Sequence, residues 1–171
     1  LSFARRGAEI KVPTSVEDIL LESLTLVGTQ IRKDLITVDV EVPTDLPPVL
    51  CVPQEIQQVF MNILNNARYA LNQKYPESKD QKRVEIHAST VGENGRTLVQ
   101  ISFRDSGSGI PPEIVDKIVN PFFSTKPKGE GTGLGLSISQ DIVRSHGGDL
   151  KIESLPGEFT TVRIDLPAVV A

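Results

Sequence analysis

Between Asp105 and Ser139 the chain reads DSGSGIPPEIVDKIVNPFFSTKPKGEGTGLGLSIS, two glycine clusters separated by a proline-bounded segment and an aromatic-Ser-Thr-Lys stretch. No other stretch restricts the fold as strongly. Glycine lacks a Cβ and tolerates positive φ, so Gly107/Gly109 and Gly129/Gly131/Gly133/Gly135 suit main chain that closely wraps a flat or phosphorylated ligand. The spacing excludes two familiar phosphate loops. A dinucleotide fingerprint needs Gly at i, i+2 and i+5, and counting from Gly129, Gly131 and Gly133 the last position falls on Leu134, Leu136 and Ile138. No Gly-Lys-Ser/Thr follows any glycine, which removes the P-loop. The second cluster runs into Leu134, Leu136, Ile138, Ile142 and Val143 and ends at Gly147, the pattern of a glycine loop opening a helix. Free N–H groups and the positive dipole end at such a start favour a phosphate chain. For either cluster alone, an ordinary glycine loop without ligand is the competing reading.

DSGSGIP, PFFSTK and GEGTGLGLSIS resemble the G1, F and G2 boxes of the ATP-binding catalytic domain of sensor histidine kinases. These belong to the gyrase, heat-shock chaperone, histidine kinase and mismatch-repair ATPase superfamily. NILNNARYAL at Asn62–Leu71 is similar to the family's N box. The boxes follow the family's order, and the resemblance spans roughly Thr14 to Pro167. The FSTK-P-K-G-E-GTGLGL form is closer to nitrogen-regulator-like sensor kinases than to osmosensor-like ones. The resemblance implies a Bergerat-type ATP-binding fold, with ATP and Mg²⁺ as ligands.

With 171 residues, 39% hydrophobic and 23% charged, the chain can form one globular domain with its own core. A net charge of −4 with scattered Lys and Arg leaves no basic footprint for nucleic acid. Cys51 stands alone, which forbids an internal disulfide and fits a reducing compartment. The apolar runs fall far short of a membrane span and no signal peptide is visible, so this segment is expected in the cytoplasm, while its parent can still be membrane-anchored. The only Met is Met61, which suggests a piece of a longer protein. By resemblance, residues 1–10 end the helical dimerisation hairpin that precedes the catalytic domain, and 11–171 are that domain, with an ATP lid at about 113–130.

Thr14 and Glu17 form a capping-box pattern ahead of Val16, Ile19, Leu20, Leu24, Val27 and Ile31, predicting a helix to about Lys33. Ile36, Val38, Val40 and Val42 alternate with polar residues, predicting a strand with one buried face. Pro43, Pro47, Pro48 and Pro53 mark a loop, and Pro53 fits the first turn of a helix reaching about Lys74. Its stripe is Ile56, Val59, Phe60, Ile63, Leu64, Ala67, Ala70 and Leu71. The family usually has Asp as the cap before that proline; Val52 departs from this, which weakens the cap. Val84, Ile86 and Ala88, the turn GENG, then Leu98, Val99, Ile101 and Phe103 predict a hairpin leading to Asp105. LKIES and TTVRIDL around Pro156–Gly157 predict a last hairpin. The sum is an α+β two-layer sandwich, with a mixed, mainly antiparallel sheet on three helices.

Asn62, Asn66 and Tyr69 fall at i, i+4 and i+7, on one face beside the apolar stripe. A lone helical asparagine is usually solvated surface. Two aligned at the border of an apolar face need another reason, because Glu, Lys or Gln would serve helix propensity better. A neutral carboxamide oxygen can bind Mg²⁺, which keeps several waters and takes other ligands from nucleotide phosphates. The resemblance implies Asn66 as the Mg²⁺ ligand and Asn62 as its phosphate-side neighbour. It extends the nucleotide contacts to Tyr69, Gly107, Gly109, Ile110, Gly131, Thr132, Gly133, Leu134, Gly135 and Leu136.

Asp105 ends a strand just before a glycine turn. By resemblance its carboxylate accepts a hydrogen bond from the adenine exocyclic amine; on its own, Asp-Ser-Gly is also a simple turn-former. In the lid, Phe122 and Phe123 would dock, while Thr125, Lys126 and Lys128 reach the phosphates; the plainer alternative is core phenylalanines and solvated lysines. Phosphoryl transfer needs chiefly positioning and charge neutralisation, so Asn62, Asn66 and Lys126 form the catalytic set that the resemblance implies. Water-splitting members resemble one another in having a Glu base four residues before the metal-binding Asn. Here that position is Asn62, which cannot take a proton near neutral pH, so transfer to an external nucleophile is favoured over hydrolysis.

His87 and His146 lack the acidic neighbour and downstream Pro of the family's H box, so both read as structural. The acceptor histidine is expected outside this chain, in a hairpin that makes the parent a homodimer, with a response-regulator receiver domain as the next partner. Two other readings remain open: a superfamily ATPase or protein serine kinase domain, and a nucleotide-sensing module without transfer.

Overall fold

A computed structural model describes residues 9–77, 81–120, 123 and 135–170. Strand β1 (Val12–Thr14) leads into helix α1 (Val16–Lys33), which buries Val16, Ile19, Leu20, Val27 and Ile31. The expected Thr14 cap is displaced by one residue. Thr14 pairs with Val49 in the β1 ladder and Ser15 after it is still extended, so Val16 is the first helical residue and Ser15 takes the cap. The Ser15 hydroxyl accepts from the Asp18 N–H at 3.3 Å.

Strand β2 (Thr37–Glu41) is slightly shorter than its apolar alternation. Ile36 is buried and Val38 half-buried, but Val40 remains 41% exposed. The expected buried face is therefore incomplete, because β2 is an edge strand flanked only by β4. The proline-marked stretch expected as loop contains strand β3 (Val49–Cys51), which pairs antiparallel with β1.

Helix α2 (Pro53–Lys74) starts with Pro at its first position and buries Ile56, Val59, Phe60, Ile63, Leu64, Ala67 and Leu71. Phe60 is fully buried, its ring 5.3 Å from that of Phe103. Such a pair contributes about 0.5–1.5 kcal/mol beyond the area it buries. Val52 gives no side-chain cap, as expected. Its own N–H instead donates to His146 Nε2 at 3.1 Å.

Strands β4 (Arg83–Glu93) and β5 (Arg96–Asp105) form the expected hairpin. Asn94 and Gly95 turn it with φ of 50° and 75°, the left-handed pair that matches the twist of the flanking strands. A one-turn helix α3 (Pro112–Val115) follows, then α4 (Gly135–Ser145), β6 (Asp149–Leu155) and β7 (Phe159–Pro167). The sheet order is β2-β4-β5-β7-β6, parallel only between β2 and β4. Ile86, Ile101, Phe103, Val162 and Ile164 join the helix stripes in one core. This is the expected two-layer α+β sandwich, with α3 and the small β1–β3 ribbon as additions. The division at residue 10 falls mostly on residues 1–8, which lie outside the described residues.

Candidate functional site

Strand β5 is the middle strand of the sheet, and its last residue, Asp105, is buried beneath α2. The chain then has to turn in a narrow space. A Cβ on Gly107 would lie 2.7 Å from Asp105 Oδ1 and 2.8 Å from Ala70 Cβ; one on Gly109, where φ is +69°, would run into the Leu155 carbonyl oxygen. Only glycine fits either place. The Gly107 N–H donates to Asp105 Oδ1 at 2.9 Å, the Ile110 N–H to Ser154 Oγ at 2.7 Å and the Gly157 N–H to the Ser108 carbonyl at 2.7 Å. Lys74 Nζ joins α2 to the same region, donating to the carbonyls of Gly157 at 2.6 Å and Ser106 at 3.4 Å.

Burial pushes the Asp105 carboxyl up to about 6, against the opposing pull of the Gly107 N–H and the Lys74 charge. A buried carboxylate with one bonded N–H still has acceptor capacity for a donor from a ligand.

In front of Asp105 opens a cavity of about 310 Å³. Asn62, Asn66, Tyr69, Asp105, Gly109, Ile110, Phe123, Gly135 and Leu136 all line it, so the structure brings these candidates together from α2, the β5 turn and the start of α4. Gly107 does not line it and acts through its N–H. Thr125, Lys126, Gly131, Thr132, Gly133 and Leu134, with Phe122 and Lys128, lie outside the described residues.

On the side away from Asp105, Asn62 Nδ2 donates at 3.2 Å to both the Gly135 carbonyl and Ser139 Oγ, and Ser139 Oγ donates to the Gly135 carbonyl at 2.7 Å. Asn66 is half-buried one turn further along α2, and the Tyr69 hydroxyl accepts from Gln73 Nε2 at 3.2 Å. Among the described residues no group of three His, Cys, Asp or Glu could hold a metal ion. A carboxamide oxygen that shares Mg²⁺ with nucleotide phosphates requires no such group, so Asn66 fits that donor set.

Sequence reasoning missed Lys74, Ser139, Ser154 and Thr160. Lys74 lies two helical turns beyond Asn66. Ser139 stands four residues after Gly135, at back-bonding distance. Thr160 pairs with Asp105 across the β5–β7 ladder and lines the cavity, a register that no local pattern reveals. The histidines lie elsewhere. His87 is exposed, 3.3 Å from Glu41, whereas buried His146 donates from Nδ1 to the Ile142 carbonyl at 2.7 Å and accepts at Nε2 from Val52.

The cavity thus lies between a helix bearing two asparagines and a buried aspartate on the central strand, with Gly109 and Gly135 in its lining. Residues 51–170 match the family described as histidine kinase-, DNA gyrase B- and HSP90-like ATPase, and the chain belongs to that family. Its ligand class is therefore ATP.

Among its relatives, the two-component sensor PprA of Pseudomonas aeruginosa is 35% identical over 167 residues, covering 97% of this chain and 18% of PprA. The sensory histidine kinase/phosphatase NtrB of Vibrio alginolyticus is 32% identical over 158 residues, covering 92% of this chain and 44% of NtrB. The nucleotide-free catalytic domain of the histidine kinase ThkA has the same fold, with a TM-score of 0.77 at 28% identity, covering 92% of this chain and 95% of that one. The chain thus spans less than half the length of these two curated relatives but nearly the whole ThkA catalytic domain. No helix among the described residues is long and apolar enough to cross a membrane.

Proposed function

We propose that this chain is the ATP-binding catalytic domain of a sensor histidine kinase, which passes the γ-phosphoryl group of ATP to a histidine on a dimerisation hairpin outside residues 11–171. The observation that carries this reading is the polarity of one cavity, with buried Asp105 at one end and Asn62, Asn66 and the start of α4 at the other. Adenine fits the Asp105 end, its exocyclic amine donating to the carboxylate. The triphosphate then runs toward α4, whose N-terminal amides favour anionic groups. Asn66 would hold Mg²⁺, which when bound neutralises phosphate charge. Thr125 and Lys126, with the glycines at 131 and 133, would close over the phosphates as part of a lid at about 113–130, and Phe123 would dock it.

Residue 62 offers no base for water. Its amide nitrogen donates to the Gly135 carbonyl, a position that a carboxylate could not share without repulsion. Transfer to an external nucleophile therefore fits better than hydrolysis. In the parent, the partners would be the hairpin of the same homodimeric protein and a response-regulator receiver domain, all in the cytoplasm.

The test is incubation of γ-labelled ATP with this chain alone, with the parent's hairpin added, and with a hairpin whose acceptor histidine is replaced by Gln. Expected is nucleotide binding without labelling by the chain alone, labelling when the hairpin is added, and none with the Gln hairpin. Tethering the two raises the rate through effective concentration. Robust self-labelling of the isolated chain would place the acceptor within it and overturn the division of labour.

A further inference from the structure

Asn62, Gly135 and Ser139 form a closed triangle of polar atoms joining the middle of α2 to the first turn of α4. Ser139 is completely buried, and its hydroxyl makes the back-bond to the carbonyl four residues earlier. That bond directs the hydroxyl proton to Gly135 and leaves an oxygen lone pair for Asn62. The Gly135 carbonyl has no proton to give, so the group facing it must be the amide nitrogen of Asn62, which settles which way the carboxamide points. The two acceptors lie 2.7 Å apart and each 3.2 Å from Nδ2, so they subtend an angle at nitrogen far narrower than the spread between its two N–H bonds. One N–H is therefore shared between them. The second N–H and the carbonyl oxygen of Asn62 are left for other partners, in directions set by the triangle.

We propose that Ser139 is a positioning residue for the phosphate half of the cavity, acting through Asn62: it fixes the rotation of that carboxamide and the height at which α4 begins above α2. The inference rests on the nucleotide reading above and goes beyond it by assigning work to a residue that lines no part of the cavity. Asn62 and Gly135 both line it, and each touches Ser139 directly. The adenine end is held by a separate set of bonds, from Gly107, Ile110 and Gly157, none of which involves α4. Ser139 should thus influence ligands that carry phosphates and spare those that do not.

The experiment is a double-substitution cycle with Ser139→Ala, Asn62→Ala and both together, in which the affinities for Mg-ADP and for adenosine are measured calorimetrically. Loss of one shared hydrogen bond predicts a fall in ADP affinity of about two- to tenfold in Ser139→Ala, with adenosine unchanged. In the Asn62→Ala background Ser139→Ala should have no further effect, because the group through which it acts is gone. Ser139→Thr, which keeps the hydroxyl, should restore ADP binding wherever its melting temperature shows that the extra methyl is accommodated. Equal losses for ADP and adenosine would show a merely structural role and overturn the proposal, as would an undiminished Ser139 effect without Asn62. Failure of the unsubstituted chain to bind either ligand would instead overturn the nucleotide reading itself.

Discussion

The two ends of the cavity are built by different means. At the Asp105 end the walls come from the central strand, from α2 and from the β6–β7 hairpin, and each hydrogen bond between them engages at least one backbone group: Gly107 on Asp105, Ile110 on Ser154, Gly157 on Ser108, Lys74 on Gly157. At the α4 end, α2 and the start of α4 are joined by the triangle of Asn62, Gly135 and Ser139. A preorganised end costs little to order on binding and can discriminate between bases. On the proposed reading, the first end meets the base and the second the phosphates of one ligand.

The largest expected effect comes from the rigid end. Asp105→Ala removes a charged acceptor and should lower ATP affinity about ten- to hundredfold and abolish the preference for ATP over GTP, measured by competition binding. A preference retained in the variant would break the comparison at its firmest point. The same residue sets a pH signature without ligand. Its folded-state pKa near 6 lies above the ordinary 3.8, so its contribution to stability is complete below pH 3.8 and is lost as pH rises through 6. Between pH 4 and 7 the melting temperature of the unsubstituted domain should therefore decline relative to that of Asp105→Ala.

A smaller effect is expected at the other end. Asn66→Asp preserves shape and adds a negative charge beside the phosphates, so the Mg²⁺ concentration needed for half-maximal ATP binding should change several-fold while the ATP-to-GTP preference stays put. An unaltered Mg²⁺ titration would remove the ligand role from Asn66. Smallest of all, Lys74→Met takes away the cation that favours ionised Asp105. If Asp105 accepts from the adenine amine as proposed, the ionised carboxylate binds it more strongly than the protonated one, so affinity should fall as pH drops through about 6 in the unsubstituted chain, and at a higher pH in the variant. Coincident pH profiles would show that Lys74 acts only through its bonds to Gly157 and Ser106.

Much of this division was legible beforehand, because the glycine clusters, the asparagine spacing and the alternating strands are local patterns. α2 begins at Pro53 and ends at Lys74 as its stripe predicts, since Pro at the first turn and a continuous apolar face act within a few residues. What escaped was set by distant partners. α1 starts at Val16 because Ser15, directly after a β1 strand that pairs with distant β3, is still extended. Val40 stayed exposed because strand order, unreadable from periodicity, left β2 at the edge. At the site, Thr160 is a neighbour of Asp105 only through the β5–β7 register, and no local pattern distinguishes Ser139 from Ser137 two residues before it.

The position of β5 at the centre of the sheet also orders the assembly of the domain in time. The β4–β5 and β6–β7 hairpins close over short turns and need only local encounters, so they can form early. The β5–β7 seam, which brings Thr160 beside Asp105, must gather in everything between them, α3, the glycine-rich stretch and α4 included. Its closure entropy makes it a late event. A chain emerging from the ribosome therefore cannot complete this pocket until its last strand has been synthesised and docked, and ligand capture becomes a sign that the whole domain is finished. Nucleotide present during refolding should then slow unfolding more than it speeds folding, because the bound contacts straddle the last seam to close.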